Sequence, residues 1–363
     1  MSEFLEINNP YTLQFSFIPP QFIKRSGISK EIIENFVRAV PTYRGMFITG
    51  VRGSGKTVIL SDIRKQIESL DNWVTVDLNP ESDLLDSLAR GLYLKPAIKA
   101  LFLKAKLDFS LLGIGVHIEK AELIASNPED ALKMMLTVLR TAGKKVLVTI
   151  DEVTYSKDVA KFSHALSSYA GEGFDIFVLM TGLVENINAI KNKKSLTFLY
   201  RAKVRQLDEL NRIAVRSDYE NTLGLNIEQA GRLSELTKGY SLAFQAVGFH
   251  YWNALCHKPF DKIIHDEVRK EIVVTLAELA YDKIWDELSA TDIKILRAMN
   301  ELKPDEDGFI RVENIRNTIE MSSDSFTRYR KRLLDSGIID GKRYGYLRFV
   351  LPEFEEYIQS VCS

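Results

Sequence analysis

Apolar positions along this chain fall into two periods. Short, mainly apolar runs occur at "GMFITG" (45–50), "NWVTVDL" (72–78), "KKVLVTIDEV" (144–153) and "FDIFVLMTG" (174–182), and a fifth strand is expected at the more polar "AKVRQL" (202–207). Runs of this length without alternation predict strands of a sheet covered on both faces. Between them the spacing becomes helical: "TVILSDIRKQIESL" puts Ile59, Ile63, Ile67 and Leu70 on one face, and a helix over 128–142 is bracketed by Asn127-Pro128 and Gly143. Strands alternating with helices predict an α/β domain over 1–207. Within it "KLDFSLLGIGVHIE", 106–119, places Leu107, Phe109 and Leu111, then Ile114, Val116 and Ile118, around Gly113. That alternation predicts an inserted β-hairpin, covering a domain edge or binding a partner.

The remainder reads differently. Residues 208–283 are helical by period throughout and predict a lid and connector. From 284 to 363, "SATDIKILRAMNE", "VENIRNTIE" and "SSDSFTRYRKRLLDSGII" give three helical patterns, and "DGKRYGYLRFVLPEFEEYI" adds a hairpin and a last helix. This is the order of a winged helix-turn-helix, with Ser322 or Ser323 capping the third helix.

Composition adds limits. The 363 residues are 45% hydrophobic and 27% charged, which suits two or three globular domains. The 48 basic and 49 acidic residues nearly cancel, so a nucleic-acid surface has to be a local patch. Cys256 and Cys362 lie far apart and make neither a disulfide framework nor a zinc ribbon, and His250, His257 and His265 lack metal-ligand spacing. With no signal-like start and no apolar run of spanning length, a cytoplasmic protein without a membrane partner is expected.

The chemistry concentrates at "ITGVRGSGKTVIL", 48–60. Gly50, Val51, Arg52, Gly53, Ser54, Gly55, Lys56 and Thr57 fit G-x-x-x-x-G-K-[ST] between a strand and a helix that runs on through Val58. Glycines let backbone N–H groups curl around phosphate oxygens at a helix N-terminus. Lys56 is then expected on the β- and γ-phosphates and the Thr57 hydroxyl on Mg²⁺. The strand "KKVLVTIDEV" ends in Asp151, a candidate metal ligand, and Glu152, a candidate to polarise the attacking water. The next strand ends at Thr181, which either orients the γ-phosphate or caps the following turn. Arg201 and Arg205, around the fifth strand, are candidates to supply charge to a neighbouring γ-phosphate, with Arg201 favoured.

With these residues placed, the chain resembles the AAA+ ATPases, in particular the archaeal and bacterial ATPases related to origin-recognition initiators and to STAND signalling ATPases. "GVRGSGKT", "VLVTIDE", "VLMTG", "LYRAKVRQLDEL" and "GYSLAFQAVG" carry the resemblance, over about 18–250. It implies a P-loop NTPase parallel sheet of order 5-1-4-3-2, with Lys56 and Thr57 as Walker A, Asp151 and Glu152 as Walker B, and Thr181 as sensor 1. No N-K-x-D guanine motif follows, so ATP is the expected nucleotide, and the family's adenine pocket maps onto Phe22, Ile23 and Arg25. The pattern departs from the family at "GYSL" (239–242), where Ser241 replaces the usual proline and no sensor-2 arginine follows. Slow or partner-dependent hydrolysis is expected from that departure.

Two functions share this machinery. Arg328, Arg330, Lys331 and Arg332 against Asp324, with Lys342 and Arg343 at the wing, give a basic face that suits duplex DNA. The alternative is a STAND-like switch whose winged domain docks protein, in a homo-oligomer or with another partner.

Overall fold

The computed structural model describes residues 8–14, 18–115 and 123–362. The chain forms two compact units, one of Arg25–Thr49 and Lys56–Gln206, the other of Met1–Lys24, Gly50–Gly55 and Leu207–Ser363.

The first unit is built on five parallel strands: β1 (Gly45–Thr49), β2 (Trp73–Leu78), β3 (Lys145–Ile150), β4 (Ile176–Gly182) and β5 (Lys203–Gln206). Their order across the sheet is β2-β3-β4-β1-β5, all neighbours parallel. This is the 5-1-4-3-2 order. Every residue of β1 and β4 is buried, which is why those runs read as continuously apolar. Helices α1 (Ser26–Val37), α2 (Lys56–Glu68) and α3 (Pro128–Thr141) belong to this unit. Asn127 caps α3 by accepting the Asp130 N–H, with Pro128 in the first turn.

The hairpin expected near 106–119 is not formed. Leu107–Asp108 pairs in parallel with Leu123–Ile124, and Ser110–Leu112 is a single 3₁₀ turn. The buried Asp108 carboxylate accepts the Ser110 N–H at 2.7 Å, and Gly113 takes a left-handed φ of 65°, so the strand stops after two residues. Val116 and Ile118 lie outside the described residues.

The second unit holds helices α4 (Arg212–Leu223), α5 (Ile227–Leu236), α6 (Ser241–His257) and α7 (His265–Leu276). The C-terminal segment follows as α8 (Ala290–Glu301), β6 (Ile310–Arg311), α9 (Val312–Thr318), α10 (Ser323–Asp335), β7 (Ile339–Asp340), β8 (Tyr346–Phe349) and α11 (Phe354–Cys362), the element order expected from the sequence. Its antiparallel sheet runs β6-β8-β7, and Ser322 caps α10.

Residues 8–14, assigned from sequence to the α/β domain, belong to this second unit instead. Tyr11 is buried there, its hydroxyl donating to Asp218 at 2.6 Å and its ring edge-on to Tyr219 and Phe244. Gly248 leaves the space its ring fills. An isolated tyrosine in a polar stretch gives no periodic signal, so its partner two hundred residues away is invisible to local patterning.

Candidate nucleotide site

The α/β unit brings two strand ends and one helix start together. Lys56 and Thr57 open α2, a 13-residue helix with no acidic side chain in its first turn, so its positive end is not neutralised by the helix itself. Lys56 is 6% exposed. The Thr57 hydroxyl donates to Asp151 Oδ2 at 2.6 Å, just past the end of β3. From β4 the buried Thr181 hydroxyl donates to the other oxygen, Oδ1, and accepts the Glu152 N–H at 3.0 Å. One carboxylate is thereby held between two hydroxyls. The helix after β4 starts with Leu183 at its N-cap and has no side-chain cap, so Thr181 spends its hydroxyl on the strand end and not on that turn.

Glu152 stands apart from its neighbours in backbone. Its φ of 52° is left-handed, a region costly for a side chain with a Cβ. The N–H bonds to Thr181 Oγ1 and to Asp151 Oδ1, the latter at 3.2 Å, and the Val153 N–H bond to the Thr181 carbonyl at 2.8 Å hold the turn there. Glu152 is exposed. Composition and spacing carry no sign of this conformation.

A hydroxyl and a carboxylate within 2.6 Å are hard oxygen donors that fit Mg²⁺. Among the described residues no three His, Cys, Asp or Glu side chains gather as a metal cage. The donor set therefore suits an ion that completes its shell with water and phosphate oxygens, as Mg²⁺ does.

The two arginine candidates differ. Arg205 is committed to Glu31 on α1 through both Nε, at 2.9 Å, and Nη2. Arg201 is exposed just after a short helix, Thr197–Tyr200, and its guanidinium makes no hydrogen bond or ion pair among the described residues. Lys191 holds that turn by donating to the Tyr200 carbonyl at 2.9 Å and to the Ala202 carbonyl at 2.5 Å.

In the second unit, Gly53 and Gly55 of the glycine loop have φ of 76° and 89°, which favour glycine. Phe22 and Ile23 are half-buried, and Ile23 packs on the helical core. Arg25 begins the other unit, where its carbonyl accepts the Ile28 and Ser29 N–H groups at the start of α1.

The basic positions of the C-terminal segment divide as well. Arg332 is bound to the buried Asp292 of α8 and to Ser289 Oγ, while Arg330 is half-buried beside Gly341. Arg343 pairs with Asp305 at 2.6 Å and lies over the Tyr346 ring. Arg328 and Lys331 are exposed, the Lys342 side chain is 79% exposed, and Tyr344 at the wing tip is fully exposed. Sequence treated these six cations alike because it shows charge without showing partners.

A family profile described as "Domain of unknown function (DUF8462)" matches residues 278–358. No curated protein matches the chain. Among solved structures, the chain is similar to the Walker-type ATPase PABY2304 of Pyrococcus abyssi, with TM-score 0.63 and 14% identity over 96% of this chain and 99% of that one. It is also similar to the Aeropyrum pernix ORC2 protein in its ADPNP–ADP complexes, with TM-score 0.59 and 15% identity over 97% and 98%. At such identities the likeness is one of fold, and it spans nearly the whole length of each chain. The chain shares the fold of these two structures, built on the parallel β2-β3-β4-β1-β5 sheet.

Proposed function

We propose that the protein binds ATP with Mg²⁺ and hydrolyses it, and that its nucleotide state controls attachment to duplex DNA through the winged helix. The observation that carries the ATPase part is the hydrogen-bonded row Thr57–Asp151–Thr181 at the end of the parallel sheet. Lys56 binds the β- and γ-phosphates, helped by the positive end of α2. Thr57 and Asp151 hold Mg²⁺, which when bound offsets charge on the phosphate oxygens. Thr181 fixes the second oxygen of Asp151, so the carboxylate keeps one rotamer. Glu152, projected by its left-handed turn, polarises the attacking water. Phe22, Ile23 and Arg25 remain our candidates for the adenine side, and Arg201 for charge supplied to a neighbouring copy. No arginine follows "GYSL" along α6, where the initiator resemblance implies one, which supports slow turnover without a partner.

For DNA, exposed Arg328 and Lys331 on α10, with Tyr344 on the wing, are the groups left to meet a duplex, and Lys342 is exposed but lies 4.0 Å from the Asp340 carboxylate. One observation favours the alternative, a switch whose winged domain docks protein. Arg332 and Arg343 are already neutralised by Asp292 and Asp305, which shrinks the basic face.

Turnover of ATP measured with and without duplex DNA separates the two. Stimulation or inhibition by duplex, abolished in Lys56→Ala along with nucleotide binding, is the expected result. Turnover indifferent to DNA would transfer support to the protein-docking switch.

A further inference from the structure

The glycine loop is gripped from the lid by its carbonyl oxygens. The Tyr240 hydroxyl donates to the Arg52 carbonyl at 2.5 Å, the Leu242 N–H to that of Gly53 at 3.0 Å and the Ser241 hydroxyl to that of Ser54 at 2.9 Å. In a planar trans peptide the C=O and the following N–H point to opposite sides. Donors fixed on the Arg52 and Ser54 carbonyls therefore turn the N–H groups of Gly53 and Gly55 away from the lid. The intervening Ser54 N–H closes a turn onto the Val51 carbonyl at 3.1 Å. A Cβ at Gly53 would collide with the Tyr240 hydroxyl, so the close approach depends on glycine as much as on tyrosine. Burial pushes the Tyr240 hydroxyl pKa well above its usual value, which keeps it a donor.

The same tyrosine leads on to the winged domain. Its ring stacks on Tyr281 with centroids 6.4 Å apart and planes at 22°. Tyr281 in turn donates to the Pro352 carbonyl at 2.6 Å and meets Phe354 and Tyr357 of α11 edge-on at 5.0 and 5.5 Å. A second tie runs beside it, from the Arg52 guanidinium to Glu287 at 3.0 Å.

We propose that Tyr240 is a positioning residue that aims the Gly53 amide at phosphate, with Ser241 doing so for Gly55, and that Tyr281 conveys the loop's conformation to the C-terminal domain. This rests on the nucleotide-binding reading above.

The test uses the full chain and titration with a fluorescent ADP analogue. Tyr240→Phe keeps the stack and loses only the hydroxyl, and is expected to weaken binding about five- to tenfold, the effect of one hydrogen bond. Ser241→Ala is expected to act in the same direction. Tyr219→Phe, which removes a buried hydroxyl bonded to the Phe244 carbonyl elsewhere in the lid, is the control and should leave affinity unchanged. Hydrogen exchange reads the second step: nucleotide slows exchange over 346–358 in the native protein, and Tyr281→Phe abolishes that slowing while affinity stays within about twofold. Native-like affinity in both Tyr240→Phe and Ser241→Ala overturns the positioning role and leaves the nucleotide site standing. Slowing retained in Tyr281→Phe overturns the conveyance. If the native protein binds no nucleotide, the site assignment falls, and this inference with it.

Discussion

At the scale of single residues, the site depends on a few side chains whose types were legible and whose states were not. The positions of Lys56, Thr57, Asp151 and Glu152 follow from motif spacing and from strands that end in carboxylates. Nothing in the sequence tells of the left-handed backbone at Glu152 or of an Asp151 carboxylate shared by two hydroxyls, because both arise where β3 and β4 end side by side. The roles separate on substitution. In the proposed mechanism, Glu152→Gln should retain ATP and lose turnover by about 10²- to 10⁴-fold, the usual contribution of a general base, since it leaves Asp151 untouched. Single-turnover kinetics with bound ATP measures this, and near-native hydrolysis in that variant would remove Glu152 from the mechanism. Thr181→Val should instead cost turnover and metal affinity together, because it frees the Asp151 oxygen now held by the hydroxyl. A magnesium titration of activity distinguishes the two.

At the scale of elements, the basic helix α10 is two structures in one. Its Arg332 faces inward to Asp292, which is 1% exposed and also closes the capping box of α8 with Ser289. Arg332→Ala leaves that carboxylate without its cation, so we expect a loss of about 2–3 kcal/mol in denaturant unfolding, below the fully buried case because the arginine is partly exposed. Lys331→Ala, on the exposed side, should change stability by less than about 0.5 kcal/mol. Equal losses from both substitutions would mean the pairing contributes nothing. The helix, its N-cap and its place in the winged order were readable from period and capping residues. Which arginine pairs was not, since the partner lies forty residues back on another helix. The same holds for the 106–119 segment, where alternation suggested a hairpin but the Asp108 turn and the Gly113 conformation end the strand early.

Between α6 and α7 a half-buried histidine adds a pH dependence. His250 faces Glu271 through Nδ1 at 3.1 Å and Thr275 through Nε2 at 2.8 Å. Burial, opposed by the Glu271 charge and its hydrogen bond, holds its pKa below the usual histidine value. The unfolded chain then binds the proton more readily than the folded one as pH falls below the ordinary histidine range, so stability rises with pH through that window. Unfolding midpoints at pH 7.5 and 5.5 should show a drop on acidification that His250→Gln reduces.

At the scale of the whole molecule, the near-zero net charge removes any general attraction to nucleic acid, so binding has to come from the local patch. Duplex affinity, if carried by α10 and the wing, should fall with salt at a log–log slope of roughly −0.9 per phosphate neutralised. The double variant Arg328→Ala, Lys331→Ala is expected to flatten that slope by about one to two while ATP affinity is unchanged. No duplex retention at low salt in either nucleotide state would assign the winged domain to protein docking.

The buried Tyr11 also has a consequence in time. Its hydroxyl bonds to Asp218, 207 positions later in the chain. At synthesis speeds of about 5–20 residues per second, the early segment waits roughly 10 to 40 s at the ribosome before the helices that enclose it exist. Throughout that interval the α/β segment is being completed while the N-terminal strap still lacks its socket. A newborn chain is therefore expected to expose this tyrosine to chaperones and proteases until α4 and α6 emerge, and truncated chains ending before α4 should be cleaved first around Tyr11.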